Sequence, residues 1–117
     1  MTISETSKIG IAILSLNGTL DALSAPEFRN NRSVIDPEKT VVVDLQQVDF
    51  IDSSGIGAIV SASRQKRQPT GGIVLSCMND RVRKVFEITN AQKLFHIFDD
   101  TIAAVDFAAT RQKSAGA

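Results

Sequence analysis

The chain has 117 residues, room for one domain and not two, and its 43% apolar and 22% charged residues match an ordinary globular domain. Thirteen basic residues offset thirteen acidic ones, which excludes the strong cationic footprint of a nucleic-acid binder. A single cysteine excludes an internal disulfide, no apolar run approaches the ~20 residues of a membrane span, and the N-terminus lacks a signal-peptide pattern, so the expectation is a cytoplasmic chain with no membrane or direct nucleic-acid partner.

Residues 2–6 read as a short edge strand. Ile9 to Leu16 reads as a strand, alternating first and then continuously apolar, broken by Asn17-Gly18. Ser24-Ala25-Pro26-Glu27 reads as a helix start, with Ser24 and Glu27 as a capping box and Pro26 in the first turn. Leu23 and Phe28 sit where a hydrophobic staple would join, and Asp36-Pro37 ends the helix. Thr40 to Leu45 is β-branched and almost continuously apolar, the pattern of a strand covered on both faces. After a loop, Ile56, Ile59 and Val60 recur at helical spacing until the stop at Lys66-Arg67-Gln68-Pro69-Thr70-Gly71-Gly72.

Gly72 to Cys77 is the next strand. Asn79 is placed to cap a helix with the apolar stripe Val82, Val85, Phe86 and Thr89. Leu94 to Phe98 reads as the last strand, and Asp100 or Thr101 caps a helix carrying Ile102, Val105 and Ala108. The domain is expected over residues 1–110, with a frayed tail over 111–117. The order β, β, α, β, α, β, α, β, α predicts an α/β fold: a mostly parallel central sheet of about five strands with four helices. The C-terminal ends of the strands then form the functional edge. The Gly18–Ser24 and Gln46–Ser53 loops belong to it.

Catalytic chemistry finds little support at that edge. A nucleophile elbow needs glycine two places before its serine, where Ser53 has Ile51. The one histidine, His96, lies inside the apolar run Leu94-Phe95-His96-Ile97-Phe98, so nothing obvious activates Ser53. Cys77 reads as a small buried hydrophobe. One His and one Cys make no zinc pattern, Asp44, Asp49 and Asp52 lack calcium-loop spacing, and Ser54-Gly55-Ile56-Gly57 has no Lys-Ser/Thr after it and is no phosphate loop. The expectation is no enzyme, no catalytic residue, no metal and no cofactor. The basic runs Arg64–Arg67 and Arg81–Lys84 read as solvated helix faces or cationic helix ends.

What remains is a serine at a helix N-terminus. Ser53 could simply cap, accepting N–H groups that the first turn leaves unpaired. It could also receive a phosphate: the modification adds nearly two negative charges where free N–H groups and the positive dipole end favour them. Asp52 beside it would repel that charge, so the change suits switching of a protein contact.

Three segments resemble a known family. Val41-Val42-Val43-Asp44-Leu45, six loop residues and Ile-Asp-Ser-Ser-Gly-Ile-Gly (51–57) resemble the signature of anti-sigma factor antagonists, single STAS domains of bacteria. Asn-Gly-Thr-Leu-Asp-Ala-Leu-Ser-Ala-Pro (17–26) is similar to the family's loop before its first helix, and residues 94–105 to its last strand and helix. The resemblance covers about residues 9 to 108. It implies phosphorylation on Ser53 and a partner-binding surface of Asp21, Asp52, Ser54, Gly55, Ile56 and Gly57. The implied partners are an anti-sigma factor serine kinase, bound by the unphosphorylated form, and a PPM-type serine phosphatase that restores it; the free chain would be a monomer. The alternative is a non-enzymatic STAS subunit of another assembly, a signalling scaffold or a lipid-transport complex. Two departures stand out: Thr19 replaces an acidic residue common in the family, and Arg29 to Thr40 is about one helical turn short.

Overall fold

An antiparallel hairpin opens the chain, β1 (Thr2–Lys8) against β2 (Ile11–Leu20). The structure, a computed structural model, describes residues 1–68 and 71–115. Ile9 and Gly10 form the turn with φ of 45° and 81°, the positive values that a two-residue hairpin loop of type I′ demands at both central positions. Ile9 is therefore in the turn and not the first residue of a strand, as its place in the apolar run suggested.

The hairpin is followed by two short helices, α1 (Ala25–Arg29) and α2 (Arg32–Ile35), then β3 (Thr40–Ile51), α3 (Ser53–Arg64), β4 (Gly72–Ser76), α4 (Asp80–Ile88), a 3₁₀ turn (Ala91–Leu94), β5 (His96–Phe98) and α5 (Thr101–Ala115). The sheet order follows the chain, β1-β2-β3-β4-β5, with β2 to β5 parallel. The described residues thus hold five helices instead of four. The expected first helix is split where Asn31 caps α2 by accepting from the Ser33 and Val34 amides at 2.9 and 3.2 Å.

Alternation along the parallel strands builds two cores. Leu14, Leu16, Val41, Val43, Leu45 and Leu75 face α1 to α4, where Phe28, Ile59, Val82 and Phe86 are fully buried. Ile13, Val42 and Val74 face α5 through Ala104, Val105 and Ala108. One face of β3 is Val41 and Val43 and the other is Val42, so the continuous apolar run is a strand covered on both sides. Placing α1 to α4 on one face is what same-handed crossovers between successive neighbouring strands produce.

Two strands run further than their sequences suggested. β2 continues through Asn17-Gly18 to Leu20, and β3 continues past Leu45 to Ile51, paired to each other with register shifts at Ser15/Asn17 and Gly18/Thr19. Gly18 takes a φ of 108°, so it bends the strand without ending it. Buried Leu20, Val48 and Ile51 hold the extension to the core. The Asn79 amide binds it from outside, donating to the carbonyls of Val48 at 2.8 Å and Gln46 at 3.1 Å.

The helix ends also differ in part. Asn79 caps α4 as expected, accepting from Val82 N at 3.0 Å, and Asp100 caps α5, accepting from Ala103 N at 2.7 Å. In the stripes, Thr89 and Ile102 are exposed while Val82, Phe86, Val105 and Ala108 are buried. β5 begins at His96 because Ala91–Leu94 forms the 3₁₀ turn, and β4 ends at Ser76 because Cys77 turns to a φ of 58°. Helix α5 extends to Ala115, and residues 116–117 lie outside the described residues. The Arg111 guanidinium hydrogen-bonds Gln68 and lies 5.8 Å from the Phe107 ring centre. Pro69 and Thr70, in the expected stop after α3, also lie outside.

Lys66 corrects the reading of Arg64–Arg67 as a solvated face. It is buried, and its ammonium donates to the carbonyls of Ser33 at 2.8 Å and Asp36 at 2.6 Å. Burial lowers its pKa from the ordinary lysine value to about 8, opposed by the nearby Asp36 carboxylate. The side chain thus joins the end of α3 to α2. Arg67 pairs with Glu38 on the surface. The Arg81–Lys84 run lies in the first half of α4, with Val82 buried and Arg83 3.4 Å from Asp99.

Candidate functional site

Strand pairing brings the two expected loops together. Leu20 and Ile51 are register partners at the ends of β2 and β3, so Asp21 and Asp52 each stand one residue beyond the sheet. Asp52 N donates to the Leu20 carbonyl at 3.4 Å. The loops are therefore shorter than Gly18–Ser24 and Gln46–Ser53: the first is Asp21–Ser24 and the second is Asp52 alone.

Asp52, not Ser53, caps α3. Its backbone is extended (φ −121°, ψ −172°) and its carboxylate accepts from Gly55 N at 3.0 Å, the geometry of an N-cap acceptor. Ser53 is then the first helical residue. Its side chain is exposed, and among the described residues its hydroxyl makes no hydrogen bond. The hydroxyl is free because the residue before it satisfies the helix end.

Gly55 is buried for a steric reason. A Cβ there would collide with the Leu20 carbonyl oxygen and come within 2.9 Å of Ile51 Cγ1. The glycine lets the first turn of α3 lie directly on the β2 and β3 ends. Ile56 is buried in the larger core. Gly55 and Ile56 therefore seat the turn, while Ser53, Ser54 and Gly57 are its exposed residues.

The neighbouring loop is closed by its own side chains. The Asp21 carboxylate accepts from the amides of Leu23 at 3.0 Å and Ser24 at 3.2 Å. Ser24 Oγ donates to the Thr19 carbonyl at 2.7 Å and accepts from Asp21 N at 2.9 Å. Ser24 is thus turned back onto the loop and makes no cap bond to α1, so the Ser24–Glu27 capping box does not form. The staple is absent as well: Phe28 is buried, but Leu23 is 93% exposed. Leu23 and the half-exposed Phe50 place apolar surface beside Asp21, Asp49 and Asp52. Leu23 is thus surface where a buried staple is expected, and the apolar Phe50 next to Asp49, past the strand's continuous run, is the local signal for the rest of this surface.

The residues weighed for catalysis lie elsewhere. His96, on β5, is exposed with its ring 4.5 Å from that of Phe107. Cys77 is half-buried rather than buried, with Sγ 3.4 Å from Thr101 Oγ1. Among the described residues no group of three or more His, Cys, Asp and Glu side chains is placed to hold a metal, and no helix is long and apolar enough to cross a membrane.

Comparison with known proteins agrees with the resemblance in sequence. The STAS domain family matches residues 3–104. The chain is 33% identical over 82 residues to the anti-sigma-B factor antagonist of Listeria monocytogenes, covering 68% of this chain and 72% of that one. The fold is similar to the crystal structure of an anti-sigma factor antagonist from Mycobacterium paratuberculosis, with a TM-score of 0.82 at 20% identity and 92% of each chain covered. It is also similar to the anti-sigma factor antagonist SpoIIAA, solved in its unphosphorylated form (TM-score 0.73, 20% identity, 99% and 98% covered) and, from Bacillus, in its phosphorylated form (TM-score 0.65, 19% identity, 90% and 97% covered). On the extent of the family match and the identity to its relatives, the chain belongs to the STAS domain family and, within it, to the anti-sigma factor antagonists.

Proposed function

We propose that this chain is a phosphorylation-switched anti-sigma factor antagonist of a bacterial partner-switching pathway, with Ser53 as the switch. Unphosphorylated, it binds an anti-sigma factor serine kinase and frees the sigma factor. Phosphate on Ser53 releases the chain, and a PPM-type phosphatase resets it. The observation that carries this reading is the exposed, unbonded Ser53 hydroxyl behind a capping Asp52. The existence of SpoIIAA structures in both forms supports it.

The chemistry follows from position. The chain is the substrate of the transfer and supplies only the hydroxyl. A phosphate at the first helical residue meets the positive end of α3, so the fold tolerates the modification. Outward, it adds nearly two negative charges to an edge that already carries Asp21, Asp49 and Asp52. Asp21 and Asp52 fix the loops, Gly55 and Ile56 seat the helix, and Ser53, Ser54 and Gly57 meet the partner. Such an added charge at a docked surface weakens binding by several kcal/mol, at about 1.4 kcal/mol per tenfold. The chain acts in the cytoplasm, without a catalytic role of its own.

The test is direct binding to candidate anti-sigma factor kinases, with intact mass after incubation with ATP. Ser53→Ala should bind like wild type and take no phosphate, and Ser53→Asp should bind about a hundredfold more weakly or worse. Wild-type affinity in Ser53→Asp, or phosphate on another residue, would overturn the proposal.

A further inference from the structure

We propose that the anti-sigma factor makes a second contact on this chain, inserting an acidic helical segment with an apolar anchor into the groove between α1–α2 and α3. The proposal rests on the partner-switching reading above and adds the partner's charge pattern to it.

The groove is a cavity of about 260 Å³. Val34 and Ala62 are its buried apolar lining, Ile35 is a half-exposed lip, and Arg29 and Gln65 are exposed beside it. Charge decides what fits. Arg29 lines the groove, and Arg32 on α2 and Arg64 on α3 flank it; all three are exposed and among the described residues none is in an ion pair, whereas the neighbouring acids Asp36 and Glu38 face Lys66 and Arg67. The Ser53 end of the same helical layer is acidic, with Asp21, Asp49 and Asp52. From Ser53 to Arg64 is eleven helical steps, roughly 16 Å. A protein lying along α3 therefore meets negative charge at Ser53 and positive charge at the groove. Its own surface must be basic at the first point and acidic about 16 Å further on.

Gly57 supplies an independent sign that the surface between them is approached closely. Glycine in a helix interior is destabilising. A Cβ at Gly57 would meet nothing within 4 Å, so no packing inside the molecule requires the gap. The missing side chain lowers the helix surface one turn below Ser53, where a partner's backbone would pass. Leu23, 93% exposed on the preceding loop, adds an apolar flank.

The experiment is an NMR titration of the ¹⁵N-labelled full chain with a synthetic helical peptide of about 14 residues, near the shortest length that holds a helix in water. The peptide carries Leu on one stripe and Glu on both sides of it. Saturable shifts are expected around Arg29–Ile35 and Ser61–Gln65. Arg29→Glu with Arg64→Glu should weaken binding about tenfold or more, and a peptide with Lys in place of Glu should not bind. Ser53→Asp, roughly 16 Å away, should leave the peptide affinity within about twofold, so loss of the groove and loss of the switch are read separately. Absent saturation at millimolar peptide, shifts elsewhere, or equal binding of the Lys peptide would overturn the proposal. Self-association through the same residues, seen as concentration-dependent shifts without peptide, would also overturn it in favour of a second copy of the chain.

Discussion

Two glycines two residues apart in α3 illustrate how residue-scale sterics separate support from contact. Gly55 lies against the Leu20 carbonyl, a backbone atom that cannot rotate away, while Gly57 faces open space. Gly55→Ala should therefore cost about 2 kcal/mol, within the usual range for forcing a methyl into a packed site. It should also shift the start of α3, and Ser53 with it. Gly57→Ala should stabilise the fold by about 0.5–1 kcal/mol, because alanine removes the helix-propensity and unfolded-state entropy costs of glycine. Urea unfolding of both variants measures the difference. Equal effects would mean that the two positions are not distinguished by their surroundings.

At the scale of elements, side chains distant in sequence set where strands and helices stop. Asn79 caps α4 with its oxygen while its nitrogen holds Val48 and Gln46 of β3. Asn79→Ala should cost about 2 kcal/mol, combining a lost cap with carbonyls left without their donor. It should also speed amide exchange over residues 46–51. A loss confined to α4 would show that the strand extension holds itself.

This geometry also explains what the sequence could and could not reveal. Thr40–Leu45, the Asn79 cap and the α4 stripe were legible because their signals are local: unbroken β-branched residues, a capping side chain, a helical repeat. The continuation of β3 to Ile51 was not legible, because its support comes from an asparagine some thirty residues later and from buried Val48 and Ile51. Ser24 and Ser53 each looked like caps. Thr19 and Asp21 compete for the first, and Asp52 displaces the second, so the local signal was real and lost to a neighbour. The Asp52-Ser53-Ser54-Gly55 corner is legible as a pattern, but which of its residues cap, pack or stay exposed depends on the β2 and β3 ends beneath it.

Lys66 belongs to the same scale, because it connects α2 to α3. Its folded pKa, lowered by burial to about 8, lies below the unfolded value of 10.5. Between those values the unfolded chain binds more protons, so the contribution of Lys66 to stability rises with pH across that window and is at its least favourable, and constant, below about pH 8. Lys66→Met should lose roughly 1–3 kcal/mol with the two carbonyl contacts. The gap in urea midpoint between wild type and Lys66→Met should then widen from pH 7 to pH 10. A gap that narrows would mean that the ammonium, not the neutral amine, is the form the fold prefers.

At the scale of the whole molecule, the two faces of the sheet are unequal. Four helices bury Phe28, Ile59, Val82, Phe86 and their neighbours on one side, whereas α5 covers the other with buried Ala104, Val105 and Ala108 and the partly buried Phe107. Apolar stabilisation scales with area removed from water, roughly 25 cal/mol per Å², and alanines bring little of it. Helix α5 should therefore be the least stable large element, opening without the rest. In native-state hydrogen exchange its amides should open at a free energy about 2 kcal/mol or more below those of β2 and β3, with a smaller denaturant dependence because less surface is exposed. The Ser53 corner is built on the opposite face of the sheet, from α3 and the β2 and β3 ends, so Ser53→Asp should leave exchange in α5 unchanged. Matching free energies and denaturant slopes in α5 and the central strands would instead show that the two cores unfold as one unit.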